Sequence, residues 1–118
     1  MTRDDVLEVC TGLPGSVEDA PFGDEVAVFK VGGKMFALVM LAGEPGSVSL
    51  KCDPDWALEL RARHAAVRPG YHMNKRHWNT VELDGSVDDD DLREMIDHSY
   101  ELVVGSLPKK QREALGGR

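Results

Sequence analysis

The sequence predicts an α+β fold, a two-layer sandwich in which helices cover one face of a mostly antiparallel sheet. Three observations point there. Helical and strand patterns follow one another as helix, about four strands, helix, two strands, helix. Gly32-Gly33 and Pro45-Gly46 stand between strand patterns as turn residues do. The chain has 118 residues, 42% of them hydrophobic, which suits one domain over residues 1–118 with a core that needs no staples.

The elements follow in order. Thr2 caps a first helix, with Asp5 as the acidic partner of a capping box. Val6, Val9, Cys10 and Leu13 share its apolar face, and Pro14-Gly15 stops it. Residues 16–23 form a strand or extended loop. Strands over residues 25–31 and 34–41 are joined by the Gly32-Gly33 hairpin turn. The second, running from Met35 to Leu41, is apolar on both faces and is expected at the centre of the sheet. Residues 47–51 alternate polar and apolar, as an edge or half-exposed strand would. Asp53-Pro54 opens a second helix on which Trp56, Leu60 and His64 share a face. Residues 67–71 make a short return strand around Pro69-Gly70, and residues 78–83 another strand. Asp88 is expected to cap the last long helix, with Asp91 completing the box and Val87 and Leu92 forming a hydrophobic staple. Pro108 closes that helix, and residues 108–115 form a loose turn or short helix.

Net charge is −7 and unevenly placed. Residues 51–81 carry three acids and six bases, whereas residues 82–101 carry nine acids and one base. The overall field opposes nucleic acid, while the basic stretch leaves a local cationic face open. Cys10 and Cys52 read as two buried free thiols. No apolar run is long enough to span a membrane, and the N-terminus lacks a hydrophobic signal core, so a cytoplasmic location is expected. Neither metal-ligand spacing nor a nucleophile motif appears; the four acids Asp88 to Asp91 lack the glycine and alternation of a calcium loop. The reading is therefore a non-enzymatic protein without cofactor or metal.

Residues 71–81, Tyr-His-Met-Asn-Lys-Arg-His-Trp-Asn-Thr-Val, concentrate cations, hydrogen-bonding groups and aromatic rings. Arg68, His72, Lys75, Arg76 and His77 are candidates to contact phosphate. Tyr71 and Trp78 are candidates to stack on a base, and Asn74 and Asn79 to hydrogen-bond a base edge. A structural role competes at each: Asn74-Lys75-Arg76 suits a turn capped by its own asparagine, with Tyr71 and Trp78 pinning the loop to the sheet. Two functions remain open, DNA binding through residues 68–78 and a binding module for a small anionic or aromatic ligand or a protein partner.

That eleven-residue stretch resembles the signature of the MmcQ/YjbR family of small bacterial proteins. The stretch from Ile96 to Lys109, with its Ser99-Tyr100 and Leu107-Pro108-Lys109, is similar to the family's closing segment. Pro21-Phe22-Gly23, the strand over 28–36 and the region of Trp56 match its layout, so the resemblance spans nearly the whole chain. It implies a frataxin-like fold, and with it the DNA-binding label the family often carries, which the acidity of this chain weakens. A monomer or weak homodimer is expected. Frataxin-like folds also bind iron on acidic surfaces, which the acids between Glu82 and Glu101 could mimic, though family membership does not carry that role.

Overall fold

The computed structural model describes residues 1–21, 23–70 and 73–115. Helix α1 (Arg3–Gly12) leads into strands β1 (Val17–Asp19), β2 (Val26–Val31), β3 (Lys34–Met40) and β4 (Ser47–Lys51). Helix α2 (Pro54–Arg63), strands β5 (Val67–Pro69) and β6 (Trp78–Glu82), and helices α3 (Asp89–Gly105) and α4 (Lys109–Ala114) complete the order. The six strands form one sheet in the order β1-β2-β3-β4-β6-β5, with every neighbouring pair antiparallel. The expected two-layer α+β sandwich is the observed fold.

Residue alternation decides which side of the sheet is which, because directly opposed residues share a face. One row runs Ala27, Val39, Val48, Val81, Val67, and the next runs Phe29, Ala37, Leu50, Asn79, Pro69. The apolar members before Pro69 are at most 4% exposed and join Val6, Cys10, Ala57, Leu60, Ile96, Tyr100 and Val103 in one core. On the opposite face the corresponding rows are Val28, Leu38, Ser49, Thr80, Arg68 and Val26, Met40, Ser47, Glu82. This second face lies away from the helix-packed core.

The chain ends of the helices behave as their residues dictate, with one exception. Thr2 and Asp5 form the reciprocal capping box on α1, and Asp53 accepts from the backbone amides of Asp55 and Trp56 at the start of α2. Asp88 occupies the N-cap of α3, but its side chain makes no capping bond. Its exposed carboxylate stays in solvent, where hydration competes with a cap. The N-terminal amine of Met1 instead pairs with Asp89.

Of the two readings of strand β4, edge or half-exposed, the structure selects the second. It lies between β3 and β6, not at an edge, and its alternation arises because Ser47, Ser49 and Lys51 face the open side while Val48 and Leu50 enter the core. A bulge in β3 lies beside it: Phe29 opposes Ala37 while Lys30 opposes Met35, leaving Phe36 as the extra residue with its ring fully buried. The Phe36 carbonyl leaves the ladder. The buried Ser99 hydroxyl of α3 donates to that carbonyl at 2.6 Å and accepts from the Lys51 amide at 2.9 Å. A helix side chain thus bridges the two backbone groups that would have formed the next link between β3 and β4. Tyr100 beside it is fully buried, packs edge-on to Phe36 at 5.4 Å and donates its hydroxyl to the Pro14 carbonyl.

Candidate functional site

A groove of about 580 Å³ lies on the open face of the sheet. Leu38 and Met40 of β3, Ser47 and Ser49 of β4 and Thr80 of β6 form its floor. Arg68, Pro69 and Gly70 wall one side, and the loop that follows contributes Met73 and Lys75. The strand order creates this arrangement. Inserting β6 between β4 and β5 brings Arg68 into the same cross-strand row as Thr80, Ser49 and Leu38. Its ends differ chemically: Arg68 and Lys75 stand at one, with Met73 beside them, and the uncharged side chains of Leu38 and Met40 at the other.

The polar groups of the groove are few and placed. The Ser49 and Thr80 hydroxyls lie 2.8 Å apart, and both residues are 7% exposed. Each hydroxyl carries one donor and two acceptor positions, so the Ser49–Thr80 bond does not exhaust Ser49. The Arg68 guanidinium sits 2.6 Å from the Glu82 carboxylate. Lys75 is exposed and, among the described residues, pairs with no carboxylate. Register also puts Lys30 and Lys51 on this face, Lys30 lying 3.5 Å from Asp19.

Several residues of the 71–81 stretch are explained by structure. Asn74 accepts from the Arg76 amide at 3.0 Å, the self-capped turn expected of it, and leaves Asn74, Lys75 and Arg76 exposed at the loop tip. His77 is half-buried; its amide donates to Asn74 and its carbonyl accepts from Cys52 at 2.7 Å. A side chain at Gly70 would meet the Trp78 Cβ at 2.8 Å, so glycine is what lets the chain pass half-buried Trp78. Tyr71 and His72 lie outside the described residues.

Asn79 points the other way, into the core. It is 3% exposed; its Oδ1 accepts from Arg61 Nε at 2.7 Å and its Nδ2 donates to the Ala57 carbonyl at 3.4 Å. Arg61 also donates to the backbone carbonyls of Lys75 and Trp78. One guanidinium on α2 therefore clasps both the loop and the strand that frame the groove. The structure brings Arg68 and Lys75 together at the groove and places Asn79 on the opposite face of the sheet. Sequence reasoning missed Leu38, Met40, Ser47, Ser49 and Met73. Their signal was available: Ser47 and Ser49 alternate with Val48 and Leu50, which forces the serines onto a common face.

A second hollow lies on the helix side, bounded by Asp53, Trp56, Glu94, Asp97, His98 and Glu101. His98 Nε2 accepts from the Asp53 amide at 3.1 Å, and its ring meets Trp56 edge-on at 4.6 Å. Burial lowers the His98 pKa, against the opposing pull of Asp53 and Glu94. Among the described residues, no group of three or more histidines, cysteines or acids is placed to hold a metal ion. No helix of the described residues is long and apolar enough to cross a membrane.

Comparison with known proteins adds relatives to this geometry. The YjbR family model matches residues 11–102. The uncharacterized protein YjbR of Escherichia coli K12 is 37% identical over 115 residues, covering 98% of each chain. YbdF of E. coli O157:H7, also uncharacterized, is 42% identical over 94 residues, or 79% of this chain and 76% of its own. Protein DR2400 of Deinococcus radiodurans shares the fold with a TM-score of 0.91 at 45% identity, covering 98% of this chain and 88% of that one. A Pseudomonas syringae protein follows at a TM-score of 0.75 and 26% identity, covering 87% and 99%.

Proposed function

The chain belongs to the YjbR family, and from that premise we propose that it is a non-enzymatic binding module for a small amphipathic anion, held in the groove on the open face of the sheet. The observation that carries this reading is the groove's polarity: Arg68 and Lys75 at one end, Leu38 and Met40 at the other, with a volume of about 580 Å³. That volume falls within the ~300–1,000 Å³ typical of small-molecule sites, which combine apolar walls with a few polar groups.

DNA binding is less well supported by the same face. Duplex recognition draws on many phosphate contacts, whereas the described residues of this face offer few cations, Arg68 and Lys75 at the groove with Lys30 and Lys51 along the sheet. The −7 net charge adds a long-range repulsion.

Titration of the methyl-labelled protein with octanoate, followed by NMR, tests the reading. Met40 and Met73 line the groove, whereas Met95 is 4% exposed in the core. Octanoate at millimolar concentration should shift the Met40 and Met73 methyls and leave Met95 in place. Failure of octanoate to shift them would overturn the reading. So would a DNA duplex that shifts them at lower concentration than octanoate in physiological salt.

A further inference from the structure

We propose that Arg61, on the helix side of the sheet, is the positioning residue that aims the Lys75 ammonium at the groove, so that α2 takes part in recognising the anion without touching it. This rests on the groove being a small-anion site and adds how its charge recognition is built. Lys75 lines the groove and is exposed, and its flexible four-carbon stem lets the ammonium sample a wide volume. The backbone that carries the stem decides where that volume is centred.

That backbone is a turn from Asn74 to His77, closed by the His77 amide donating to the Asn74 carbonyl at 3.1 Å. Lys75 and Arg76 are its central residues, and the peptide joining them takes no part in the closing bond. The orientation of this middle peptide is what distinguishes one turn type from another. Here it is held at both ends. Its N–H, from Arg76, donates to the Asn74 side chain at 3.0 Å. Its carbonyl, from Lys75, accepts from the Arg61 guanidinium. The first hold is local and comes with the turn, whereas the second comes from α2, 14 residues earlier. The guanidinium is itself fixed: Nε donates to Asn79 Oδ1 at 2.7 Å, and Nη2, which holds Lys75, also donates to the Trp78 carbonyl at 3.4 Å. A planar fork of donors makes these contacts as one rigid set. Without Arg61 the Lys75 carbonyl takes water instead, the middle peptide is held at one end only, and the ammonium loses its aim. Arg68 is carried by β5, paired with β6, and keeps its place, so charge recognition weakens without vanishing.

A charged ligand and its neutral analogue, octanoate and octanamide, separate aim from architecture. Affinities of the full chain are read by NMR titration at the Met40 methyl, which lines the groove from β3, away from the loop. Arg61→Met should bind octanoate at least fivefold more weakly than wild type and octanamide within twofold of it. Lys75→Gln should show the same pattern. The double variant should bind octanoate within twofold of Lys75→Gln, because Arg61 acts through Lys75. Asn79→Leu, which removes a core bond to the same guanidinium but leaves the hold on Lys75, should keep both affinities. An Arg61→Met protein that binds octanoate as wild type does would overturn the inference and leave the groove in place. Equal weakening of octanoate and octanamide would overturn it by making Arg61 a general support of the loop. A further loss when Arg61→Met is added to Lys75→Gln would overturn it by showing that the guanidinium acts through its own field. Equal loss of octanoate affinity in Asn79→Leu would overturn it in favour of the core bond. Absence of octanoate binding by the wild-type chain would overturn the groove itself and this inference with it.

Discussion

Asn79→Leu is the substitution that best separates architecture from ligand contact in the 71–81 stretch. Leucine keeps the branched heavy-atom skeleton of asparagine but is the larger side chain, so no cavity is created and the lost hydrogen bonds set a floor to which any overpacking adds. Two are lost: the 2.7 Å bond from Arg61 Nε, which is charge-assisted, and the longer 3.4 Å bond to the Ala57 carbonyl. A bond to a charged donor contributes about 1.5–3 kcal/mol. The bond to Ala57 is close to the length at which little remains. Arg61 keeps its contacts to the Lys75 and Trp78 carbonyls, which limits the cost of stranding its charge. The expected destabilisation is therefore about 2–3 kcal/mol. At roughly 4 °C per kcal/mol for a domain of this size, the melting temperature should fall by about 8–12 °C. Scanning calorimetry and urea unfolding measure it, and Arg61→Met with the double variant gives the coupling between the two residues. Octanoate affinity at temperatures well below the transition should be unchanged, because Asn79 lies on the core face. A melting temperature within about 2 °C of wild type, accompanied by lost octanoate binding, would refute the reasoning and make Asn79 a ligand contact.

Two further outcomes follow from the buried titratable groups. Burial pushes the Cys10 thiol up to about 12 and the Cys52 thiol up to about 11, so almost no thiolate forms at neutral pH. A thiol-specific chromogenic reagent should leave both untouched in the native protein and titrate two thiols in guanidinium; rapid labelling of either in the native state would contradict the packing. Burial holds His98 below its ordinary 6.5, so its contribution to stability is complete above that pH and is lost as pH falls through the lowered value. The groups facing it are Asp53, Glu94, Asp97 and Glu101. The melting temperature should fall between pH 7.5 and 5 more steeply in wild type than in His98→Gln, and identical slopes would assign the dependence to other residues.

Much of the fold was legible because its signals are local. Thr2 with Asp5, Asp53 with Pro54 and the Gly32-Gly33 turn each act on backbone groups within a few residues, and all three stand where the sequence put them. For strand β4 the sequence left edge and half-exposed positions open, because alternation reports how a strand's two faces differ, not how many neighbours it has. Ser47 and Ser49 are polar because no helix covers their side of the sheet, and that is a property of the assembled layers. The expected cap at Asp88 failed for a related reason, since four consecutive acids offer several ways to meet one helix end and water is among them. As for the groove, Arg68 and Lys75 were visible as cations. Their apolar counterpart comes from β3, and only the order β3-β4-β6-β5 brings it opposite them.

The Ser99 bridge makes one end of the sheet conditional on a helix. With α3 undocked, the Lys51 amide and the Phe36 carbonyl face each other across the bulge with their shared partner gone. Docking of α3 supplies the hydroxyl that satisfies both of these backbone groups. Because its hydrogen-bond partner sits on α3, the Lys51 amide should exchange with solvent deuterium at the rate at which that helix undocks. Hydrogen exchange at the Lys51 amide therefore reports how far the helix layer and the sheet open together.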